Sequence, residues 1–300
     1  MRHILSCEQF SQSDLAGLFD LADEIRANPR HYADSLSDKV VATLFYEPST
    51  RTRLSFEAAI VRLGGKNIST ENAREMSSAI KGESLADTIR VVHGYADAII
   101  MRHQDNNSAN EAAAASRVPI INAGAGSGEH PTQALLDIYT IKRRKGGIDN
   151  ISVAILGDLL YGRTIHSLIK LLSLYKNVEI FGLSIPSLPL PAEYVNYMAD
   201  RGIIYQPVKS LADLPPNLDI IYQTRTQLER FATQGLAAEE IILNNAEMAR
   251  FPPDTLVLHP LPRNREIAPE FDTDPRAAYF DQSENGMYIR MALLHKILTK

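Results

Sequence analysis

The chain predicts an α/β fold: two doubly wound domains with mainly parallel sheets, joined by a bridging helix and a C-terminal helix. Three observations support this. Short apolar runs recur at Val40–Phe45, Ala98–Met101, Pro119–Asn122, Ile151–Leu156, Val178–Leu183, Leu218–Tyr222 and Thr255–Leu258. Most are separated by stretches long enough for a helix, and that alternation builds parallel sheets through crossover helices. The length of 300 residues is comfortable for two domains and long for one core.

The first strand, Val40–Phe45, runs into Glu47-Pro48 and then Ser49-Thr50-Arg51-Thr52-Arg53. A helical pattern follows through Leu54, Ala58, Val61 and Leu63. Ser49 and Thr50 are N-cap residue types, so the hydroxyls and guanidinium groups gather where a helix starts. Free N–H groups and the helix dipole favour an anion there, and Arg51 with the hydroxyls makes a phosphate the natural ligand. An ordinary capped helix with solvated arginines fits the same residues. Next comes a small, polar stretch, Ser77–Ser84, before a helical pattern through Leu85, Ile89 and Val92. Its Lys81 is either a solvated surface residue or the tip of a lid.

The strand Ala98–Met101 ends in Arg102-His103, at the kind of strand terminus where parallel sheets bind ligands. After Pro119–Asn122 come Gly124, Gly126 and Gly128. They imitate a dinucleotide fingerprint, but the third glycine falls one residue early, which argues against nicotinamide or flavin. His130 and Gln133 follow, three apart in the first turn of a helix, so both can face one ligand. Pro131 suits that first turn. The helix runs through Ala134, Leu135, Ile138, Tyr139 and Ile141 to Gly146-Gly147, and bridges the two domains.

In the second half, Leu156-Gly157-Asp158 leads to Arg163, the strand Leu218–Tyr222 leads to Arg225 and Gln227, and Thr255–Leu258 leads to His259-Pro260-Leu261-Pro262-Arg263. The prolines fix that last backbone and can aim carbonyl groups at a ligand. Tyr288, Met291, Ala292, Leu294, His295 and Leu298 give a final amphipathic helix, whose return to the first domain the sequence leaves open. Each arginine alone fits a solvated surface. Arginines and histidines at so many strand ends, from both halves, point to one anion-rich cleft between the domains.

Composition narrows the class. A net charge of −5 argues against a general nucleic-acid binder. The single cysteine, Cys7, permits no intrachain disulfide and reads as a buried small residue. The first residues lack the apolar run of a signal peptide, and no window reaches the length of a membrane span. A cytoplasmic soluble protein is expected. No Cys/His spacing suggests a metal site, and no cofactor is needed.

Together, and in order over essentially the whole chain, these segments resemble the carbamoyltransferase family. Ser49-Thr50-Arg51-Thr52-Arg53 and His130-Pro131-Thr132-Gln133 match the family at large. His259-Pro260-Leu261-Pro262-Arg263, the Lys81-Gly82-Glu83 loop and Arg225-Thr226-Gln227 resemble its aspartate branch. The resemblance implies a carbamoyl-phosphate domain (residues 1–131 and 286–300) and an aspartate domain (132–285). It implies transfer of the carbamoyl group of carbamoyl phosphate to L-aspartate, in a homotrimer with shared active sites. Ser49, Thr50, Arg51 and Thr52 would hold the phosphate. Arg102, His130, Gln133 and the backbones of Leu261 and Pro262 would hold the carbamoyl group. Ser77 and Lys81 would enter from the adjacent chain. Arg163, Arg225 and Gln227 would bind aspartate together with Lys81, and Glu47 would pair with Arg163 and Arg230. The residues expected to act in catalysis are Arg51, Thr52, Lys81, Arg102 and His130. Departures exist: Ala125 stands where Asp is usual, and Ile80 where some relatives carry a second lysine. Leu160, Gly235 and Leu236 replace charged or polar residues that restrain enteric-type enzymes. Those regulatory contacts are therefore in doubt, and whether a separate regulatory chain accompanies this one stays open.

Overall fold

The computed structural model describes residues 3–71, 82–225 and 241–299. Ser77, Ile80, Lys81, Gln227, Arg230, Gly235 and Leu236 lie outside them. The chain divides into two compact units, Met1–Leu136 with Glu284–Lys300, and Asp137–Ser283.

The first unit is built on β1 (Val40–Phe45), β2 (Lys66–Glu71), β3 (Ala98–His103) and β4 (Ile120–Ala125), all parallel, in the order β2-β1-β3-β4. Its helices include α1 (Gln12–Ala27), α2 (Thr50–Arg62), α3 (Leu85–Val92) and α4 (Ser108–Ala115). Ala42, Leu44, Ile99, Met101 and Ile120 from the strands meet Ile89 of α3 and Ala112 of α4 in one core cluster. The second unit holds β5 (Ser152–Leu156), β6 (Glu179–Leu183), β7 (Ile204–Val208), β8 (Ile220–Gln223) and β9 (Leu256–Leu258), parallel in the order β7-β6-β5-β8-β9. Its described helices include α6 (Arg163–Leu172), α7 (Ala192–Ala199) and α8 (Asn245–Met248). Near-continuous apolar runs such as Val153–Leu156 are what a strand covered on both faces requires.

Helix α5 (Pro131–Lys145) contains the first unit boundary, and α9 (Tyr279–Leu298) contains the second. The last part of α9 belongs to the first unit, where Arg26 reaches Glu284 at 3.0 Å and Asn285 at 2.7 Å. None of the described helices is long and apolar enough to cross a membrane.

Two strands escaped the sequence pattern, β2 and β7. Both are sheet edges with mostly exposed or half-exposed residues, so neither needs an apolar run. The inward face of α2 also differs. Of the expected stripe, Leu54 and Val61 point outward, 50% and 65% exposed, Ala58 is half-buried and Leu63 is buried. Thr52, Phe56, Ala59 and Ile60 are buried instead. Phe56, Ala59, Ile60 and Leu63 keep the same helical spacing and include an aromatic ring, which removes more apolar surface from water.

Candidate active site

In a parallel sheet the ligand position is the switch point, where successive crossovers leave the sheet in opposite directions. In the first unit that point lies between β1 and β3, since β2 was added on one side of β1 and β3 on the other. Ser49–Thr52 leave β1 there and Arg102 ends β3. Phe45 and Arg102 are register partners. Ser49 is the N-cap of α2, but its side chain makes no cap hydrogen bond. Its hydroxyl instead accepts from Arg102 Nη1 at 3.3 Å. The first-turn N–H groups of α2 are thus not occupied by the Ser49 side chain, as an anion site requires.

The two arginines of this motif separate cleanly. Arg53 is tied to Glu57 at 3.3 Å and Glu71 at 2.7 Å. Arg51 is exposed and has no ion-pair partner among the described residues. Only Arg51 keeps its fork for a ligand. Glu47, expected to pair with Arg163 and Arg230, lies 3.4 Å from Arg102 Nε. It follows β1 by two residues and so falls beside the end of β3. Arg163 belongs to the other unit, and Arg230 lies outside the described residues.

One strand further, β4 ends in the glycine turn that delivers His130 and Gln133 to the start of α5. A Cβ at Gly126 would collide with Asn106 Oδ1, and φ there is +50°, so the turn needs glycine. Asn106 Oδ1 accepts from Ser127 N at 2.8 Å. Glu129 faces away from this edge, accepting from Ser6 Oγ at 2.9 Å and Cys7 N at 2.7 Å. Cys7 is buried beside it. His130 is 4% and Gln133 8% exposed. Both are held well enough to act as fixed donors.

The switch point of the second unit lies between β5 and β8. Arg163 follows β5 as the first residue of α6, and Arg225 follows β8. Gly157 lets the two strand ends close up. A Cβ there would collide with the Thr224 carbonyl, and φ is +116°. Thr224 N and Oγ1 both donate to the Leu156 carbonyl, at 2.8 and 3.0 Å. Asp158 accepts from Tyr161 N at 2.8 Å and shapes the turn before Arg163.

Leu261 and Pro262 follow β9, in a turn where Leu261 has φ +54°. That region costs a residue with a Cβ about 1–2 kcal/mol, so the turn must be held by its surroundings. The Arg263 guanidinium, one of the strand-end arginines expected to bind anions, is bonded to both carboxylate oxygens of Asp272 and to the Tyr279 hydroxyl. Its role is to anchor the turn. The hydrogen bond from Arg263 holds the Asp272 carboxyl below its usual range.

The structure therefore brings Ser49, Thr50, Arg51, Thr52 and Arg102 to one switch point, with His130 and Gln133 one strand along. It brings Arg163 and Arg225 to the other. A residue the sequence reading passed over is Asp137, a fully buried carboxylate in the buried part of α5. One acidic residue between Leu135 and Ile138 was the available signal.

Two family models match successive stretches of the chain. Residues 2–143 match the carbamoyl-P binding domain of the aspartate/ornithine carbamoyltransferases, and residues 149–297 match their Asp/Orn binding domain. The chain belongs to the aspartate/ornithine carbamoyltransferase family. Several similar proteins in it bear the aspartate name. The aspartate carbamoyltransferase catalytic subunit of Lachnoclostridium phytofermentans is 47% identical, over 99% of this chain and 98% of its own. The chloroplastic aspartate carbamoyltransferase of Arabidopsis thaliana is 46% identical, over 98% of this chain and 77% of its own. The crystal structure of the Trypanosoma cruzi aspartate transcarbamoylase with carbamoyl phosphate and aspartate superposes with a TM-score of 0.93 at 39% identity, covering 99% and 97%.

Proposed function

We propose that this chain transfers the carbamoyl group of carbamoyl phosphate to the α-amino group of L-aspartate, giving N-carbamoyl-L-aspartate and phosphate. The observation that carries this reading is the pair of arginines, Arg163 and Arg225, on either side of the second switch point. Guanidinium forks match carboxylates, and aspartate brings two. A cationic amine such as that of ornithine has no reason to seek them.

Ser49, Thr50, Arg51 and Thr52 bind the phosphate at the start of α2. The neutral amine of aspartate attacks the carbamoyl carbon, and negative charge grows on the carbonyl oxygen. Thr52, Arg102 and His130 stabilise it as preorganised donors. Gln133 and the backbones of Leu261 and Pro262 orient the carbamoyl group. The C–O bond to phosphate then breaks, and the departing phosphate takes the amine proton while Arg51 holds its charge. Holding two anions against each other supplies much of the rate, as positioning does elsewhere.

The test is a product assay with carbamoyl phosphate and either L-aspartate or L-ornithine. Carbamoylated product is expected with aspartate alone. Product with ornithine alone would refute the roles of Arg163 and Arg225. Product with neither would point to a binding scaffold.

The working unit is a homotrimer in which Ser77 and Lys81 complete a neighbour's site, and Lys81 with Gln227 adds to aspartate binding. The family resemblance supports this reading. Arg51→Ala and Lys81→Ala chains, each inactive alone, should regain activity when mixed and reassembled, because some mixed sites contain both native residues. No recovery in trimers verified as mixed would overturn the shared site. The bacterial catalytic-subunit relative supports a cytoplasmic location.

A further inference from the structure

An unbroken series of hydrogen bonds in the second unit runs from α5 to the turn after β9. Asp137 accepts from the Tyr222 hydroxyl at 2.8 Å and from Gln282 Nε2 at 2.6 Å. Gln282 Oε1 accepts from His259 N at 2.9 Å. His259 Nδ1 accepts from Leu261 N at 2.8 Å. Its proton therefore sits on Nε2, which meets Glu266 Oε1 at 2.8 Å. Glu266 Oε2 accepts from Asn264 N at 3.0 Å. Asp137 and Tyr222 are fully buried, and His259, Glu266 and Gln282 are 2%, 4% and 1% exposed.

Three backbone N–H groups of one turn, those of His259, Leu261 and Asn264, thus lead to two buried carboxylates. Burying a carboxylate is costly unless donors surround it. A purely apolar contact would hold a helix against a strand at less cost. The arrangement also has a direction. Asp137 turns the Gln282 amide so that its nitrogen faces the carboxylate and its oxygen faces His259 N–H.

We propose that Asp137, Gln282 and Glu266 are positioning residues for the carbamoyl group: Asp137 acts through the Gln282 amide, and Glu266 through His259, to fix the backbone of Leu261 and Pro262. This rests on Leu261 and Pro262 contacting that group in the proposed reaction. None of the three touches substrate. They set where the turn's carbonyl groups stand, and small misplacement of such groups is costly to rate.

The polarity of the amide supplies the test. Asp137→Asn leaves one acceptor oxygen for two donors; with that oxygen on the Tyr222 hydroxyl, the amide nitrogen faces Gln282 Nε2. Gln282 then turns over and presents its nitrogen to His259 N–H, donor against donor. Turnover should fall about 10–100-fold, with a higher KM for carbamoyl phosphate. Gln282→Glu sets two buried carboxyl groups side by side; burial and mutual repulsion raise the pKa of one, so the pair takes up a shared proton as pH falls. Its kcat relative to the unaltered chain should rise as pH falls. The double variant Asp137→Asn/Gln282→Glu restores acceptors for the Tyr222 hydroxyl and for His259 N, and a donor–acceptor pair between positions 137 and 282. The introduced amide nitrogen donates to the introduced carboxylate, which also accepts from His259 N. The introduced amide oxygen accepts from the Tyr222 hydroxyl. This double variant should regain most of the lost kcat at neutral pH.

Native kinetic constants in both single variants, or a double variant that recovers its melting temperature but not its kcat, would overturn the inference. The former would mean the network does not reach the turn, and the latter that it serves stability only. Failure of the functional reading is separable, since the unaltered chain would then make no carbamoyl aspartate. Failure of the inference alone leaves it active.

Discussion

Arg51→Ala is expected to lower kcat by about 10²–10³-fold or more, on the scale of losing one preorganised donor to a developing charge, while the melting temperature stays close to native. The structure separates the two effects. Arg51 is exposed and has no ion-pair partner among the described residues, so no native pair breaks when it is removed. Surface substitutions of that kind usually change stability by about 0.5 kcal/mol or less. Its guanidinium stands at the first turn of α2, where N–H groups already favour an anion. Charge on the departing phosphate grows through the reaction, so the arginine contributes more in the transition state than in the bound substrate, and kcat falls more than KM rises. Arg51→Lys should recover only part of the loss, because an ammonium cannot make the two-pronged contact. Arg53→Ala makes the informative contrast. It breaks the pairs with Glu57 and Glu71 and should act mainly on stability. Steady-state kinetics beside thermal melts on all three variants decide the matter. Native turnover in Arg51→Ala would refute the phosphate assignment.

His130→Ala is expected to cost about 10²–10³ in kcat, as loss of an oxyanion donor does. The side chain is 4% exposed, so truncation also leaves a small cavity. A melt must therefore accompany the kinetics. His130→Gln fills much of the space and keeps a side-chain N–H donor. Recovery of kcat by Gln beyond its recovery of melting temperature would assign the loss to the donor. A near-native kcat in the alanine variant would make His130 a packing residue whose burial shapes the start of α5.

Buried parallel strands announce themselves because both faces are covered. Val40–Phe45 appears in the structure with the same bounds as its apolar run, while β2 and β7 stay silent because an edge strand can be polar. Site residues at strand exits were legible for a related reason: the loop after a parallel strand is where chemistry collects. What the sequence hid was partnership. Arg51 and Arg53 look alike until Glu71, 18 positions from Arg53, is brought alongside by the unrecognised β2. Arg263 looked like an anion binder until Asp272 was found against it. Asp137 was passed over because its partners lie 85 and 145 residues away. Local pattern registers which elements form. It does not register contacts closed over such separations.

The first unit is assembled from two stretches, Met1–Leu136 and Glu284–Lys300, with all of the second unit between them. On a ribosome this sets a timetable. The β2-β1-β3-β4 sheet emerges early but waits for the contacts of Arg26 with Glu284 and Asn285 until the second unit has been synthesised. The second unit, one uninterrupted segment, can close while its predecessor is still unfinished. The sheet and core cluster of the first unit need only residues made before the second unit, whereas the α9 contacts of that unit come last.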